Sequence, residues 1–480
     1  MAALAGVFVL GALFLGAGWY LYATRPGTAG EAPKAGVASV PAPEGMPNVL
    51  LVIIDAMRAD RLGASRNGQP LTPFLDSLAA EGAHFPHTLA QCTWTRPSMA
   101  SLFTSTRVGV HQVYYGNDPS RPNAVTGDAL SKEFETMAEY FKAAGFSTAG
   151  AQSNPNLIKD FQFEQGFDQY EFINYAVAAQ MTDLALRQLD ALKPPFFLYA
   201  HYMEPHLTYA PPEEYKAMMG WPPAGLTDEE RKIAEDFMDF FWDTCDTTTG
   251  LKPAREFPAL SDTGKDAVRL LYDGEVRYAD TEVKRLVETL RKRHPNTLII
   301  VAADHGEQFW DHDGLGHGLT TYDAEARVPL IIAGPGIPQG TQKTVAALID
   351  LLPTLSAKLG LPARPVWQGR DLFTPGTDQM VFVKSLAPWP VWKVHSEAVR
   401  RGKYKLTVDV TREKSALFDV EADPGELHDL SAEFPAVVDL FKKALKEQEE
   451  RNVKARRTER EVVELNPEIV EQLRDLGYAH

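Results

Sequence analysis

The feature that most restricts how this chain can fold is a set of apolar runs with ionisable side chains at their ends. NVLLVII (48–54) is continuous, rich in β-branched residues and stops at Asp55. PFFLYAHYM (195–203) carries His201, NTLIIVAAD (296–304) ends in Asp304, and VPLIIAG (328–334) is a further run of the same kind. Unbroken apolar runs leave no polar face for water, so they read as strands covered on both sides. Helical segments lie between them. Thr72-Pro73 opens one with Phe74, Leu75, Leu78 and Ala79 on one face, and another spans 133–144 before a short strand near 147–151. Strands alternating with helices predict an α/β fold, a doubly wound and mostly parallel sheet. Ligands in such sheets bind beyond the carboxyl ends of the strands, which is where Asp55, His201 and Asp304 fall.

This catalytic domain is expected over 48–372. It is interrupted at 213–262 by a helical insert containing Trp221, Trp242, Asp236, Asp239, Asp243 and Asp246. Such an acidic excursion reads either as a solvated surface or as one wall of the site mouth. Beyond 372, shorter alternating segments (380–385, 397–409, 415–420) and a charged helix at 434–462 predict a smaller C-terminal α+β subdomain (373–480) with antiparallel strands.

Residues 1–23, MAALAGVFVLGALFLGAGWYLYA, carry no charged side chain. As a helix they would run roughly 34 Å, enough for a ~30 Å hydrocarbon core, and Trp19, Tyr20 and Tyr22 cluster at one end like an interfacial belt. The segment is expected to be an N-terminal transmembrane helix; a cleaved signal peptide is the alternative, without the usual basic start. Both readings export the chain, giving an extracytoplasmic catalytic domain, periplasmic in a Gram-negative bacterium. Residues 24–47 are Pro/Ala/Gly-rich and read as an extended tether.

Composition excludes several classes. Lys+Arg 48 against Asp+Glu 64 gives a formal charge of −16 over 480 residues, the wrong sign for a nucleic-acid surface. The two cysteines, Cys92 and Cys245, are too few for a disulfide scaffold or a Cys-rich metal site, and both are expected to be free thiols.

The motifs NVLLVIIDAMRAD, TPFLDSLAAEG, TRPSMASLFT, HYMEPH, ADHGE, GHGLTTYDAEARVPLIIAGPG, DLLPTL, LFDVEADPGE and EQLRDLGY resemble, in this order, those of the sulfatase family of the alkaline phosphatase superfamily. The resemblance covers about 47–478. It implies a hydrolase with a divalent metal at the strand ends and a covalent nucleophile at a helix N-terminus. Two carboxylates and an imidazole suit that metal, and exposed N–H groups before the Pro97 helix favour an anion.

Two registers of the family's Cys-x-Pro-x-Arg motif fit. In one, Cys92-Thr93-Trp94-Thr95-Arg96 supplies the cysteine that becomes formylglycine, with Trp94 in place of proline. In the other, Thr95-Arg96-Pro97-Ser98-Met99 runs directly into Ala100-Ser101-Leu102-Phe103-Thr104, with Thr95 in the nucleophile slot. The second matches more positions without an insertion. A threonine cannot become formylglycine but can attack once a metal acidifies its hydroxyl; Cys92 is then a small buried hydrophobe.

The family's calcium cage also differs here: Ala56 stands for its second acid and His305 for its asparagine. Trading an oxygen for an imidazole moves preference from Ca toward Zn or Mn, with Asp55, Thr95, Asp304 and His305 as the four ligands. His206 and His317 are the expected acid/base pair. Arg96, Asn154 and His201 are candidates for binding substrate, although Asn154 also reads as a turn residue and His201 as a supporting or core residue. Arg58 reads as a clamp or as an ion-pair partner.

The expected activity is hydrolysis or transfer of a sulfate or phosphate ester through Thr95, on an anionic substrate that could be lipid-linked or an envelope polymer. The alternatives are a formylglycine sulfatase using Cys92, and a catalytically silent binding protein that keeps the fold.

Overall fold

A computed structural model describes residues 45–114, 116, 124–237, 260–375, 379–386 and 394–475. The expected anchor at 1–23 and all but the end of the tether at 24–47 lie outside these. Among the described residues no helix is long and apolar enough to cross a membrane.

The apolar runs form the strands of an eight-stranded sheet. In chain order these are β1 (Asn48–Ile54), β2 (Ala83–His84), β3 (Ser147–Gln152), β4 (Gln169–Phe172), β5 (Phe196–Tyr202), β6 (Thr297–Ala302), β7 (Leu330–Ala333) and β8 (Gly340–Thr341). Across the sheet the order is β8-β2-β7-β6-β1-β5-β3-β4. Strands β6, β1, β5, β3 and β4 are mutually parallel, whereas β7 runs against both of its neighbours. The sheet is therefore mixed. Every residue of β1, β5 and β6 is buried, which is why these runs contain no alternation.

Helices α1 (Pro73–Glu81), α2 (Thr95–Thr104), α3 (Met137–Ala143), α4 (Ala178–Ala191), α5 (Glu213–Met219), α6 (Asp228–Glu235), α7 (Asp262–Arg293) and α8 (Leu351–Lys358) surround it. α7 packs with α1 and α4, while α2 packs with α3 and α8. α3 is shorter than the expected 133–144 because Thr136 and Glu139 form a capping box that starts the helix at Met137.

The 32-residue α7 has no counterpart in the sequence reading. Its inward face carries acids that found partners elsewhere. Asp273 pairs with Arg61 and Arg66, and Asp280 accepts from the N–H groups of Phe74 and Leu75 at the start of α1. The buried apolar residues of α7, among them Val268, Leu271, Val276, Val283 and Leu290, are interrupted by these buried carboxylates. The preceding insert forms α5 and α6, and Trp242, Asp239, Asp243 and Asp246 lie outside the described residues.

A second sheet is an antiparallel meander of β9 (Val381–Leu386), β10 (His395–Arg401), β11 (Tyr404–Asp409) and β12 (Lys414–Asp419). The expected strand 397–409 is thus two strands, divided where Gly402 takes φ +55°. Helix α9 (Pro435–Ala455) packs Val438 and Phe441 against Val399, Leu406 and Leu417 of this sheet. It ends before 462, since Val462–Glu464 leaves to pair with Thr126–Asp128.

Candidate active site and metal centre

Parallel pairing sets Ile53 of β1 beside His201 of β5, and beside Ala302 of β6 on the other flank. The two carboxyl ends therefore open into one space. Directly after β1 and Asp55, Ala56 takes φ +57°, a left-handed conformation rare outside glycine and common where function demands it. The bend lets the Ala56 N–H donate to Asp304 Oδ1 (3.3 Å), and the Tyr272 hydroxyl holds the Ala56 carbonyl at 2.8 Å.

Asp304 Oδ1 also accepts from the N–H of His305 (3.0 Å), and Ser98 Oγ of α2 donates to the Asp304 carbonyl (2.6 Å). His305 Nδ1–H donates to the Gly306 carbonyl at 2.8 Å, which leaves Nε2 as the nitrogen presented to the cluster. That nitrogen lies 3.4 Å from Asp55 Oδ1, 3.6 Å from Asp304 Oδ2 and 3.3 Å from Thr95 Oγ1. Thr95 is the first residue of α2, whose N-terminal N–H groups favour an anion.

These donors suit a divalent cation. Asp55 Oδ1 and Asp304 Oδ2 are buried yet accept no hydrogen bond, an arrangement that is costly unless positive charge faces them. One ligand atom from each of Asp55, Asp304 and His305 lies within 4.8 Å of the others. Two carboxylates and an imidazole, with the Thr95 hydroxyl beside them, are donors that a divalent cation accepts.

The electrostatics agree. Burial opposes charge on Asp55, but His206, His201 and His305 hold its carboxyl well below the ordinary range. Asp304 is pushed up by burial and by the Asp55 charge. Against its own burial, His305 is pushed up to about 10 by Asp304 and Asp55. The carboxylates call for positive charge at this point.

His206 and His317 arrive from separate loops. Their rings are 4.9 Å apart, and the His317 ring is 4.3 Å from that of His305. His206 Nδ1–H donates to the Leu207 carbonyl (2.7 Å) and His317 Nδ1–H to Glu307 Oε1 (2.9 Å), so Nε2 of each is the ring nitrogen not engaged in that bond. Burial pushes both rings down, and His305 lowers His317 further. Glu307 had no assigned role in the sequence reading. Its pKa is pushed to about 7 by burial. Its spacing two residues beyond His305 in Asp-His-Gly-Glu was the available signal.

Of the expected substrate ligands, Asn154 does meet the cluster. Its Nδ2 donates to Asp55 Oδ2 (2.7 Å) and Thr95 Oγ1 (3.3 Å), while its Oδ1 caps the Asn156 N–H (2.8 Å) as a turn residue does. His201 lies beneath the site, fully buried between Tyr199 (2.7 Å) and Asp55 (2.9 Å), where it orients a carboxylate and no substrate reaches it. Arg96 is 1% exposed, with its guanidinium 3.6 Å from the Phe161 ring centroid and bonded to Asn156 (2.8 Å). These partners enclose the expected clamp within the protein. Arg58 pairs with Asp60 and Asp311 and donates to the Glu307 carbonyl. Cys92 is a buried free thiol 4.0 Å from Ser385 Oγ, pushed up to about 12 by burial. Cys245 lies outside the described residues.

Known proteins have similar sequences and folds. The "Uncharacterized sulfatase YidJ" of Escherichia coli (strain K12) is 24% identical over 450 residues, covering 80% of this chain and 83% of its own. The "Delta 4,5-hexuronate-2-O-sulfatase" of Bacteroides thetaiotaomicron is 24% identical over 421 residues, with 80% and 84% covered. Among solved structures, the phosphonate monoester hydrolase of Agrobacterium radiobacter superimposes with a TM-score of 0.66 at 19% identity, covering 88% of this chain and 100% of that one. The sulfatase family model matches residues 47–361, a span that contains all of the cluster described above. The chain belongs to the sulfatase family and is an ester hydrolase.

Proposed function

We propose that this sulfatase-family hydrolase cleaves a sulfate, phosphate or phosphonate ester through a covalent intermediate on Thr95. The observation that carries this reading is the position of Thr95 Oγ1, 3.3 Å from both His305 Nε2 and Asn154 Nδ2 at the N-terminus of α2. Cys92, packed on Ser385 with its thiol held neutral by burial, lacks the electropositive, accessible surroundings of a reactive cysteine.

A divalent cation held by Asp55, Asp304 and His305 would supply positive charge to the developing oxyanion and acidify the Thr95 hydroxyl. His206 or His317, kept neutral by burial, takes the Thr95 proton at Nε2. The Thr95 oxygen bonds to sulfur or phosphorus as the ester oxygen departs, and the same imidazole returns the proton to that leaving group. Water then cleaves the Thr95 ester and restores the hydroxyl. The substrate is read as an anionic ester. The relatives named for hexuronate 2-O-sulfate and phosphonate monoesters support that class. Export through residues 1–23 would place the enzyme beside envelope polymers or lipid-linked esters.

The test is a panel of aryl sulfate, phosphate monoester, phosphodiester and phosphonate monoester substrates on wild type, Thr95→Ala and Cys92→Ala, with mass spectrometry of the Cys92 peptide. Loss of turnover in Thr95→Ala alone, with an unmodified Cys92, is expected. Full activity of Thr95→Ala, or formylglycine at position 92, overturns the reading.

A further inference from the structure

Helix α2 begins at Thr95 and runs ten residues, about 15 Å, and the loop after it lines a polar cavity. This cavity, of about 380 Å³, lies where the loop after α2 meets helix α9 and the first strand of the second sheet. Arg107 lines it together with Lys443 and Arg451 of α9, above an apolar floor of Met380, Phe382 and Leu440.

Arg107 is the unusual member. Its backbone N–H donates to Gln368 (2.7 Å), but its guanidinium has neither a hydrogen bond nor an ion pair among the described residues. Its Cζ lies 5.5 Å from the Phe382 ring centroid, the Asp350 carboxylate attracts it and Arg451 repels it. The side chain is half-buried and its Nε is enclosed without a partner, a loss of hydration that an anion or a set of acceptors would repay. The one carboxylate lining the cavity, Glu447, is already shared along its own helix with Lys443 (3.8 Å) and Arg451 (4.0 Å). Three lining cations against one lining acid leave a local surplus of positive charge in a chain whose formal charge is −16; Asp350, which attracts Arg107 from outside the lining, is already bonded to the N–H groups of Ala347 and Arg370.

We propose that Arg107, Lys443 and Arg451 form an oxyanion-binding site, separate from the catalytic cluster, for a sulfate, phosphate or sulfonate group. The guanidinium fork of Arg107 matches two oxygens of such a group. Phe382, Met380 and Leu440 offer an apolar surface to whatever body carries it. The source is either the free inorganic ion or a charged group on a larger molecule, and the two share this recognition chemistry.

The experiment titrates inorganic sulfate and, separately, benzenesulfonate into full-length protein carrying Asp55→Asn, which removes a ligand from the cation site of the catalytic cluster. Isothermal calorimetry is the readout. One saturable site is expected, weakened at least tenfold by Arg107→Gln. Because loss of a half-buried arginine can disturb folding, the pair Lys443→Gln/Arg451→Gln, on the exposed helix face, serves as the second variant and is also expected to weaken binding. Tighter binding of benzenesulfonate supports a group on a larger body, and equal binding supports the free ion. Absence of a saturable site for either anion, or binding unchanged in both variants, overturns the proposal.

Discussion

His201 Nε2–H donates to Asp55 Oδ2 at 2.9 Å, while the other oxygen of the same carboxylate accepts no hydrogen bond and lies 3.4 Å from His305 Nε2. One side of Asp55 is committed to the protein interior and the other to the cluster. Tyr199 completes the support by bonding to His201 Nδ1 at 2.7 Å, which fixes the tautomer.

This support predicts that His201→Gln and Tyr199→Phe weaken divalent-metal binding by about 10–100-fold, the usual effect of removing an outer hydrogen bond from a metal ligand. Competition with a chromophoric chelator measures it. An unchanged affinity in His201→Gln would mean that Asp55 does not need His201 to face the metal. Asp55→Asn should lose the metal altogether.

Thr95→Ser should retain measurable turnover, whereas Thr95→Ala should lose at least about 10²–10³-fold in kcat/KM. Cys92→Ala should keep near-normal kinetics and cost about 1 kcal/mol of stability from the lost buried sulfur. Steady-state kinetics and denaturant melts on the three proteins separate the roles.

Glu325 is fully buried and accepts from the Leu319 and Thr320 N–H groups (both 3.1 Å), from the Thr320 hydroxyl and from Gln308. It ties down the loop that carries His317. Glu325→Ala strands these buried donors, with an expected loss of roughly 2–4 kcal/mol. Glu325→Gln keeps one acceptor oxygen and should fall between wild type and Ala. Chemical denaturation gives the order, and equal stability of the alanine variant and wild type would refute it.

Glu397 predicts a pH dependence in the second sheet. Burial opposes its charge, but the hydrogen bond from His395 Nε2 (2.9 Å) and the Lys384 ammonium (3.3 Å) hold it at about 2, against 4.5 for an ordinary glutamate. A folded-state pKa below the unfolded one stabilises above pH 4.5 and is lost as pH falls through about 2. Glu397→Gln should therefore cost roughly 2–3 kcal/mol near pH 7 and much less near pH 2. Unfolding free energies of both proteins across that range provide the check; a constant difference rules out the linkage.

Much of this was legible in the residues themselves. Strands covered on both faces must be apolar throughout, so β1, β5 and β6 announce themselves without any structure, and an acid or imidazole at such an end is conspicuous. Asp55 and Asp304 stand out in this way, and the resemblance to the sulfatase family added Thr95 and His305 to them before their distances were known. Partnership between residues distant in sequence was not legible. His201 read as a possible substrate ligand because nothing local reveals that β5 pairs with β1 in the register that turns it under Asp55. Arg96 read as a clamp because a charge at a motif position looks functional until Phe161 and Asn156 are seen to enclose it. The inward acids of α7 hid the longest described helix, since each is satisfied by a residue some 200 positions earlier or by a distant backbone N–H. Local chemistry follows from residue type and spacing. Which groups neutralise one another depends on sheet register and helix packing, because hydrogen bonds and ion pairs act over a few ångströms of space whatever their separation along the chain.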